Sequence, residues 1–482
     1  MKSIKIICIH LFIFCLAAFA AAPAAISAEK VAIDWPTYNK QKSLFDDPTP
    51  VMKTFWTKDV LPPDMYAKFV YDIPTMRAKW AELVGFKAPD IVGKIAPEIK
   101  PGKYTHQDKA KYQGLKELMI PLQYEMFFGP AATPLGADFS EFELVPTQQY
   151  YWRLPLAQAS LQNMGKTKQD AQGFIIAESY NTGIPFPQPS GSERFKVMQL
   201  LYNNNYRPLT WDAMYSLSMN AMYDRNFKES FGGRSIAYVL QLAGRSNAEP
   251  KPFYDERAKS RNEFQMSAGL SINPRDAYGN VILVLMKLGI EPNEMFMYSG
   301  AMRRIRKLTG TDTQDTGPGS NSIMDDAGGF RRPLSPTLFP YEYKLVADRE
   351  YLAFSYTTDG KEYIQSSNME FKNVRMERRP MYVIELIQQD PSYVYGKTVM
   401  YMDKETFQLM WIENYDQKGR LFRGFGFYPF FDAPMGIIGG FMMANWNFQT
   451  PQTGIMHSAV PVPAPWLTRE FFSFSNLAKM GK

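Results

Sequence analysis

Apolar and polar side chains alternate along residues 211–224: Trp211, Ala213, Tyr215, Leu217, Met219, Ala221 and Tyr223 share one parity, with Asp212, Ser216, Ser218, Asn220 and Asp224 between them. Period two held that long predicts a β-strand. Shorter runs predict strands over residues 235–243, 281–288, 302–308, 341–347, 351–356 and 381–388. Three more fill 397–427, over 397–402, 407–415 and 420–427, divided by the polar turns Asp403-Lys404-Glu405-Thr406 and Asp416-Gln417-Lys418-Gly419. Gly419 suits the left-handed position that closes a type I turn into a bulge. Counting across four-residue loops pairs Met402 with Phe407, Met400 with Leu409 and Thr398 with Trp411. The second loop then pairs Tyr415 with Arg420, Glu413 with Phe422 and Trp411 with Gly424. Both faces of this unit are largely apolar, the second carrying Val399, Tyr401, Met410, Ile412, Leu421 and Phe425. An antiparallel sheet with one wet face does not look like this. One face therefore packs on protein, and the other needs a helix, a second sheet or an oily ligand.

Turn signals separate the strands and few helical patterns intervene, so the expected fold is mainly β (α+β), a mostly antiparallel and strongly curved sheet. Helical character concentrates earlier. Residues 29–190 read as irregular and helical, with helices over 108–128, interrupted at Pro121, and over 157–172. Tyr150, Tyr151 and Trp152 are expected to anchor this region onto the sheet. The expected divisions are a signal peptide at 1–28, the irregular region at 29–190, the β domain at 191–445 and a proline-rich tail packing on it at 446–482.

The signal reading rests on Lys2 and Lys5, an apolar run over residues 6–19 and Ile26-Ser27-Ala28 before Glu29. Both cysteines, Cys8 and Cys15, fall inside it, so the exported chain has no disulfide, thiolate zinc site or cysteine nucleophile. The formal charge of +6 falls by two when the signal leaves. That balance does not favour nucleic acid. Aromatics at 15% and 28 methionines suit adaptable apolar surfaces, in a core or around a ligand.

Chemistry-bearing motifs are weak. Gly165-Lys166-Thr167 ends like a phosphate-binding loop, but Ser160 stands where its first glycine belongs. Outside the signal the histidines are His106 and His457, in no HExxH pattern, and no GxSxG elbow occurs. Asp312, Asp315, Gly317 and Gly319 lack the bidentate glutamate of a calcium loop. No catalytic residue, metal site or cofactor is expected. Arginines carry more weight: Arg303, Arg304 and Arg306 sit on one predicted strand as a basic rim. They suit an ion-paired edge, or an anionic headgroup or membrane partner.

The strand, the Asp-Lys-Glu-Thr turn, the aromatic strand ending Glu-Asn-Tyr-Asp and the following Lys-Gly-Arg-Leu resemble the signature of the LolA/LolB-like outer-membrane lipoprotein-sorting superfamily. Within it, the chain most resembles a bacterial family of unknown function. YSGAMRRIRKLTGTDTQD at 298–315, GIPFPQP at 183–189 and PWLTREFFSFSNLAKMGK at 465–482 carry the same likeness. The resemblance implies an open barrel with a helical plug or lid. It also implies a periplasmic setting with outer-membrane association, and relatives linked to hydrophobe-exporting machinery of the resistance–nodulation–division type.

These readings converge on an exported, non-enzymatic carrier or receptor for a hydrophobic ligand. An envelope transporter or outer-membrane protein would be its partner, with peripheral membrane contact and no nucleic acid. Its expected wall is Trp211, Tyr215, Met219, Met400, Phe407, Leu409, Trp411 and Phe422. Two alternatives stay open: a transmembrane outer-membrane barrel, and an envelope enzyme built on an Asp/Arg/Tyr set.

Overall fold

The computed structural model describes residues 58, 61–128, 138–207, 209–309, 312–316, 321–326 and 331–480. The signal peptide, the two cysteines, Gly317 and Gly319 lie outside them. Eighteen strands are described: β1 (Gly102–Thr105), β2 (Glu141–Val145), β3 (Ala213–Asp224), β4 (Glu229–Gln241), β5 (Glu263–Asn273), β6 (Val281–Lys287), β7 (Glu294–Ser299), β8 (Arg304–Leu308), β9 (Tyr341–Phe354), β10 (Tyr363–Gln365), β11 (Glu370–Lys372), β12 (Arg375–Gln388), β13 (Lys397–Asp403), β14 (Leu409–Tyr415), β15 (Leu421–Asp432), β16 (Ile437–Asn447), β17 (Gln452–Ser458) and β18 (Val462–Pro463). All but β10 and β11, which form a hairpin of their own, join one sheet in the order β1-β2-β12-β13-β14-β15-β16-β17-β3-β4-β5-β6-β7-β8, with β9 on β12 and β18 on β3.

The fold is mainly β, as expected, and its pairings are antiparallel except where β2 runs parallel to the start of β12. The strand order is linear: β8 does not pair back onto the opposite end. Strands β1, β2, β5, β7, β10, β11, β16, β17 and β18 lie where the sequence reading placed none, and 341–356 holds one long strand where two were expected. The tail at 446–482 supplies β17, whose pairing with β3 joins the two halves of the sheet.

The three longest described helices are α1 (Ile73–Val84), α2 (Leu154–Asn163) and α3 (Glu193–Asn205), the last of which brings Asn204 to the cavity wall. Asp72 caps α1 by accepting from the Thr75 amide at 2.9 Å, and Gly85 ends it at φ +87°. The expected helix over 108–128 breaks into three short pieces, the last starting at Pro121.

Register departs from the sequence count in both hairpins. Met402 lies opposite Leu409, Tyr401 opposite Trp411 and Met400 opposite Ile412, with a bulge between Tyr401 and Met402. Phe407 leaves the strand at φ +57°, so the loop is longer than four residues and the slip is odd. Trp411 therefore shares a face with Tyr401 and not with Met400. Across the second turn Tyr415 meets Leu421, one residue past the count, and a bulge between Asn414 and Tyr415 adds one more, so Glu413 meets Gly424 and Trp411 meets Gly426. Gly419 does take the left-handed position, at φ +74°.

The first turn, polar in sequence, lies inside the protein. Asp403, Glu405 and Thr406 are fully buried, and so is Phe407, which was expected to open the next strand. Arg379, itself 0% exposed, donates to Asp403 at 2.6 Å, to Glu405 at 2.8 Å and to Glu377 at 3.0 Å. Glu405 also accepts from the amides of Ala88 and Tyr150, at 2.8 and 2.9 Å. The Trp80 and Trp152 indoles donate to the carbonyls of Glu405 and Thr406. The turn thus clasps the helical N-terminal region to the sheet, and Tyr150 stacks on Tyr356 at 4.0 Å within the same anchor.

Candidate functional site

The strand rows on β4–β8 build the site. Cross-strand register aligns Val239, Ser267, Val284, Met295 and Leu308 in one row over five strands. Ala237, Gly269 and Ile282 form the next, and Gln265 and Met286 a third. All ten residues line a cavity of about 1130 Å³. Side chains of the other parity, such as Tyr238, point to the opposite face. There Trp466 and Phe471 of the C-terminal segment meet Tyr238 at 6.2 and 4.9 Å.

Small residues hollow the wall. Ala237, Ser267 and Gly269 sit at its middle, and a Cβ on Gly269 would meet nothing within 4 Å. Around them Val239, Val284, Met286, Met295 and Leu308 supply apolar surface. Leu409 and Phe427, from β14 and β15, face the same space. So does the segment that crosses from β8 to β9, through Met324, Arg331, Arg332, Leu338 and Phe339. That crossing segment is tied down at several points. Arg332 pairs with Asp326 at 2.6 Å, Tyr393 and Tyr395 donate to Asp325 and Asp326, and Gln314 accepts from the Val394 amide. Burial pushes the Asp326 carboxyl up, against the pull of the Arg332 guanidinium.

Of the eight wall residues expected from sequence, Leu409 lines this cavity and the other seven do not. Trp411 is buried among Phe354, Trp446 and Gly426 on the other face of its strands. Trp211 packs under Arg153, at 4.0 Å, and donates to the Pro461 carbonyl. Tyr215 faces Tyr238, at 6.5 Å, and Met219 shares its strand parity. Met400 is buried opposite Ile412 and Ile384. Phe407 is buried in the clasp, its carbonyl accepting from Arg207 at 3.1 Å. Phe422 lies against Arg423 at 4.3 Å and Tyr395 at 6.1 Å.

Arg303 is in the turn before β8, at φ +53°, and not in a strand. Arg304 and Arg306 are exposed, Arg306 lying 3.6 Å from Asp312. The basic residues on the cavity wall are instead Arg207, Lys307, Arg331 and Arg332. Strand β5 was missed although Phe264, Met266, Ala268 and Leu270 alternate with Gln265, Ser267, Gly269 and Ser271. That alternation is its signal, obscured because the cavity-facing parity is small and polar.

Residues 140–457 match the family described as a protein of unknown function, DUF1329. A Pseudomonas aeruginosa protein, "Uncharacterized protein PA3922", is 27% identical over 279 residues, 55% of this chain and 57% of that relative. The chain thus spans little more than half the length of that relative. Three solved structures are similar. A DUF1329 family protein from Desulfovibrio piger is 16% identical, with 56% of this chain and 92% of that one covered and a TM-score of 0.40. A putative outer membrane lipoprotein-sorting protein domain from Vibrio parahaemolyticus is 16% identical, at 59% and 97% coverage and a TM-score of 0.41. A LolA superfamily protein from Nitrosomonas europaea is 15% identical, at 57% and 97% coverage and a TM-score of 0.35. The matched span runs from just before β2 into β17 and takes in both the buried turn and the cavity wall, and the chain belongs to the DUF1329 family.

Proposed function

We propose that this protein is an exported, non-enzymatic carrier or receptor that holds a hydrophobic molecule in the cavity on β4–β8. The observation that carries this reading is the cavity itself. At about 1130 Å³ it exceeds the roughly 300–1,000 Å³ common for drug-sized ligands, and its rows are mostly aliphatic. Each methylene buried there contributes about 0.8 kcal/mol, so ten or so give micromolar binding without polar chemistry.

A strongly bent sheet, an open barrel lidded by the crossing segment, fits the lining. Phe427 on β15 and Ala237 on β4 line one space although β16, β17 and β3 stand between them in the sheet. Resemblance to the lipoprotein-sorting superfamily supports a periplasmic setting and a handover partner in the envelope. Among the described residues no helix is long and apolar enough to cross a membrane. The transmembrane-barrel alternative is disfavoured by the linear strand order, because open sheet edges are not tolerated in hydrocarbon.

Gly269→Phe tests the reading. A Cβ on Gly269 would meet nothing within 4 Å and the residue lines the cavity, so the fold and its melting temperature should be kept while the cavity fills. Wild-type protein should bind the apolar fluorophore N-phenyl-1-naphthylamine, and the variant should bind it at least about tenfold more weakly. Unaltered binding in the variant, or no binding by the wild type, would count against a carrier built on this cavity.

A further inference from the structure

Two arginines on the cavity wall, Arg207 and Arg331, have no acidic partner among the described residues, unlike Arg332, Arg378 and Arg379. Arg207 and Arg331 are neighbours: Arg331 Nη2 donates to the Arg207 carbonyl at 3.2 Å. Arg331 Nη1 reaches Gln265 Oε1 at 3.3 Å, and Arg207 Nη1 reaches the Phe407 carbonyl at 3.1 Å. A guanidinium has five N–H donors, so much of each fork remains unspent. Among the described residues neither has a carboxylate within ion-pair distance. By contrast Arg332 is paired with Asp326, Arg378 with Glu350 and Arg379 with three acids.

The carboxylates that share the cavity wall are already engaged. Glu294 pairs with Lys287 at 3.3 Å, Asp325 accepts from Tyr393 at 2.9 Å, and Asp390 accepts from the Ser392 amide and hydroxyl. Burial pushes Arg207 down to about 9, and the like charge of Arg331 adds to it. Burial alone pushes Arg331 down to about 10. Both stay positive at neutral pH. Withdrawing two charges from water beside one another, with no counter-charge, costs stability. The Arg207 guanidinium also lies over the Trp152 ring at 5.0 Å, which leaves its outer edge free. Both side chains are half-buried and both line the cavity, so the unspent donors face its space.

We propose that Arg207 and Arg331 together bind the anionic headgroup, a phosphate or carboxylate, of an amphiphile whose chain lies along the row from Val239 to Leu308. The proposal rests on the carrier reading and adds the charge of the ligand. Planar guanidinia match the paired oxygens of such groups in a way an ammonium does not.

Displacement of N-phenyl-1-naphthylamine tests it with three competitors, each below its micelle concentration: dodecyl phosphate, the uncharged 1-dodecanoylglycerol and inorganic phosphate. Wild-type protein should prefer dodecyl phosphate over the glyceride by about tenfold or more, the size of one to two charge-assisted hydrogen bonds. The double variant Arg207→Gln, Arg331→Gln should bind both equally while keeping its affinity for the fluorophore and for the glyceride. Inorganic phosphate should not displace the fluorophore. If phosphate alone protects the wild type, but not the double variant, against thermal unfolding as well as dodecyl phosphate does, the pair is a free-anion site and the headgroup assignment falls. Equal affinity for the charged and uncharged amphiphiles in the wild type overturns the headgroup inference and leaves the carrier reading standing. Failure of fluorophore and both amphiphiles to bind overturns both.

Discussion

Glu405 shows how far a residue's surroundings can depart from its sequence neighbourhood. In the chain it sits in a four-residue polar turn. In the fold it is 0% exposed, between Arg379 and the amides of Ala88 and Tyr150. Burial raises its carboxyl from the ordinary 4.5 to about 7, against the pull of Arg379 and with the repulsion of Asp403. Below about 4.5 the folded and unfolded chains both hold this proton. Between about 4.5 and about 7 only the folded chain holds it, so this group's contribution to stability falls as pH rises, by about 1.4 kcal/mol per unit. His457 acts in the opposite sense, being buried and lowered to about 3, but it does so equally in a Glu405 variant. Glu405→Gln should therefore gain stability relative to wild type as pH rises from 5 to 7.5, measured by urea midpoints. Parallel curves would mean that Glu405 is ionised throughout that range in the folded protein.

At the scale of elements, alternation located β3, β4, β6, β9 and β12–β15, with ends misplaced by up to six residues in β4 and β12, because side chains in a strand must point to opposite faces. Register was not legible in the same way. It depended on Phe407 turning left-handed and on bulges at Tyr401 and Tyr415, which no periodicity announces. The glycine opposite Trp411 moved with the register: the sequence count set Gly424 there, whereas Gly426 lies opposite Trp411, and a Cβ on it would come within 2.7 Å of the Trp411 ring. Since Trp446 closes the other side at 3.0 Å, the ring has nowhere to go. Gly426→Val should cost about 1–3 kcal/mol through overpacking, read as a lowered denaturation midpoint. An unchanged midpoint would show that the two tryptophans are not held as closely as the structure has them. The break expected near 348–350 in β9 is also instructive. Glu350 stays in the strand because the amides of Gly93 and Ile95, and Arg378, satisfy its carboxylate.

Across the whole molecule, distant segments decide what each sheet face meets. The C-terminal segment covers the outer face of β4 and β5, held by Arg469 on Asp255 at 2.7 Å and on Glu263 at 2.6 Å. On the other face Met324, Arg331, Leu338 and Phe339 from between β8 and β9 line the cavity together with Leu409 and Phe427. Arg469→Ala should speed chymotrypsin cleavage within residues 464–480 and leave fluorophore binding unchanged, because the contact lies on the face away from the cavity. Loss of binding in step with cleavage would place the C-terminal segment in control of the cavity.

By itself the sequence determined the mainly β character, half of the strand positions, the Gly419 turn and a glycine pair in β15 beside Trp411. These are local consequences of side-chain alternation and of glycine's missing Cβ, so they need no knowledge of the rest of the chain. Only the tertiary structure decided which parity faces the cavity, that a polar turn is the most deeply buried anchor, and that Arg207 and Arg331 stand together without a counter-charge. Those outcomes depend on segments separated by a hundred residues or more in sequence, and no window along the chain contains both partners.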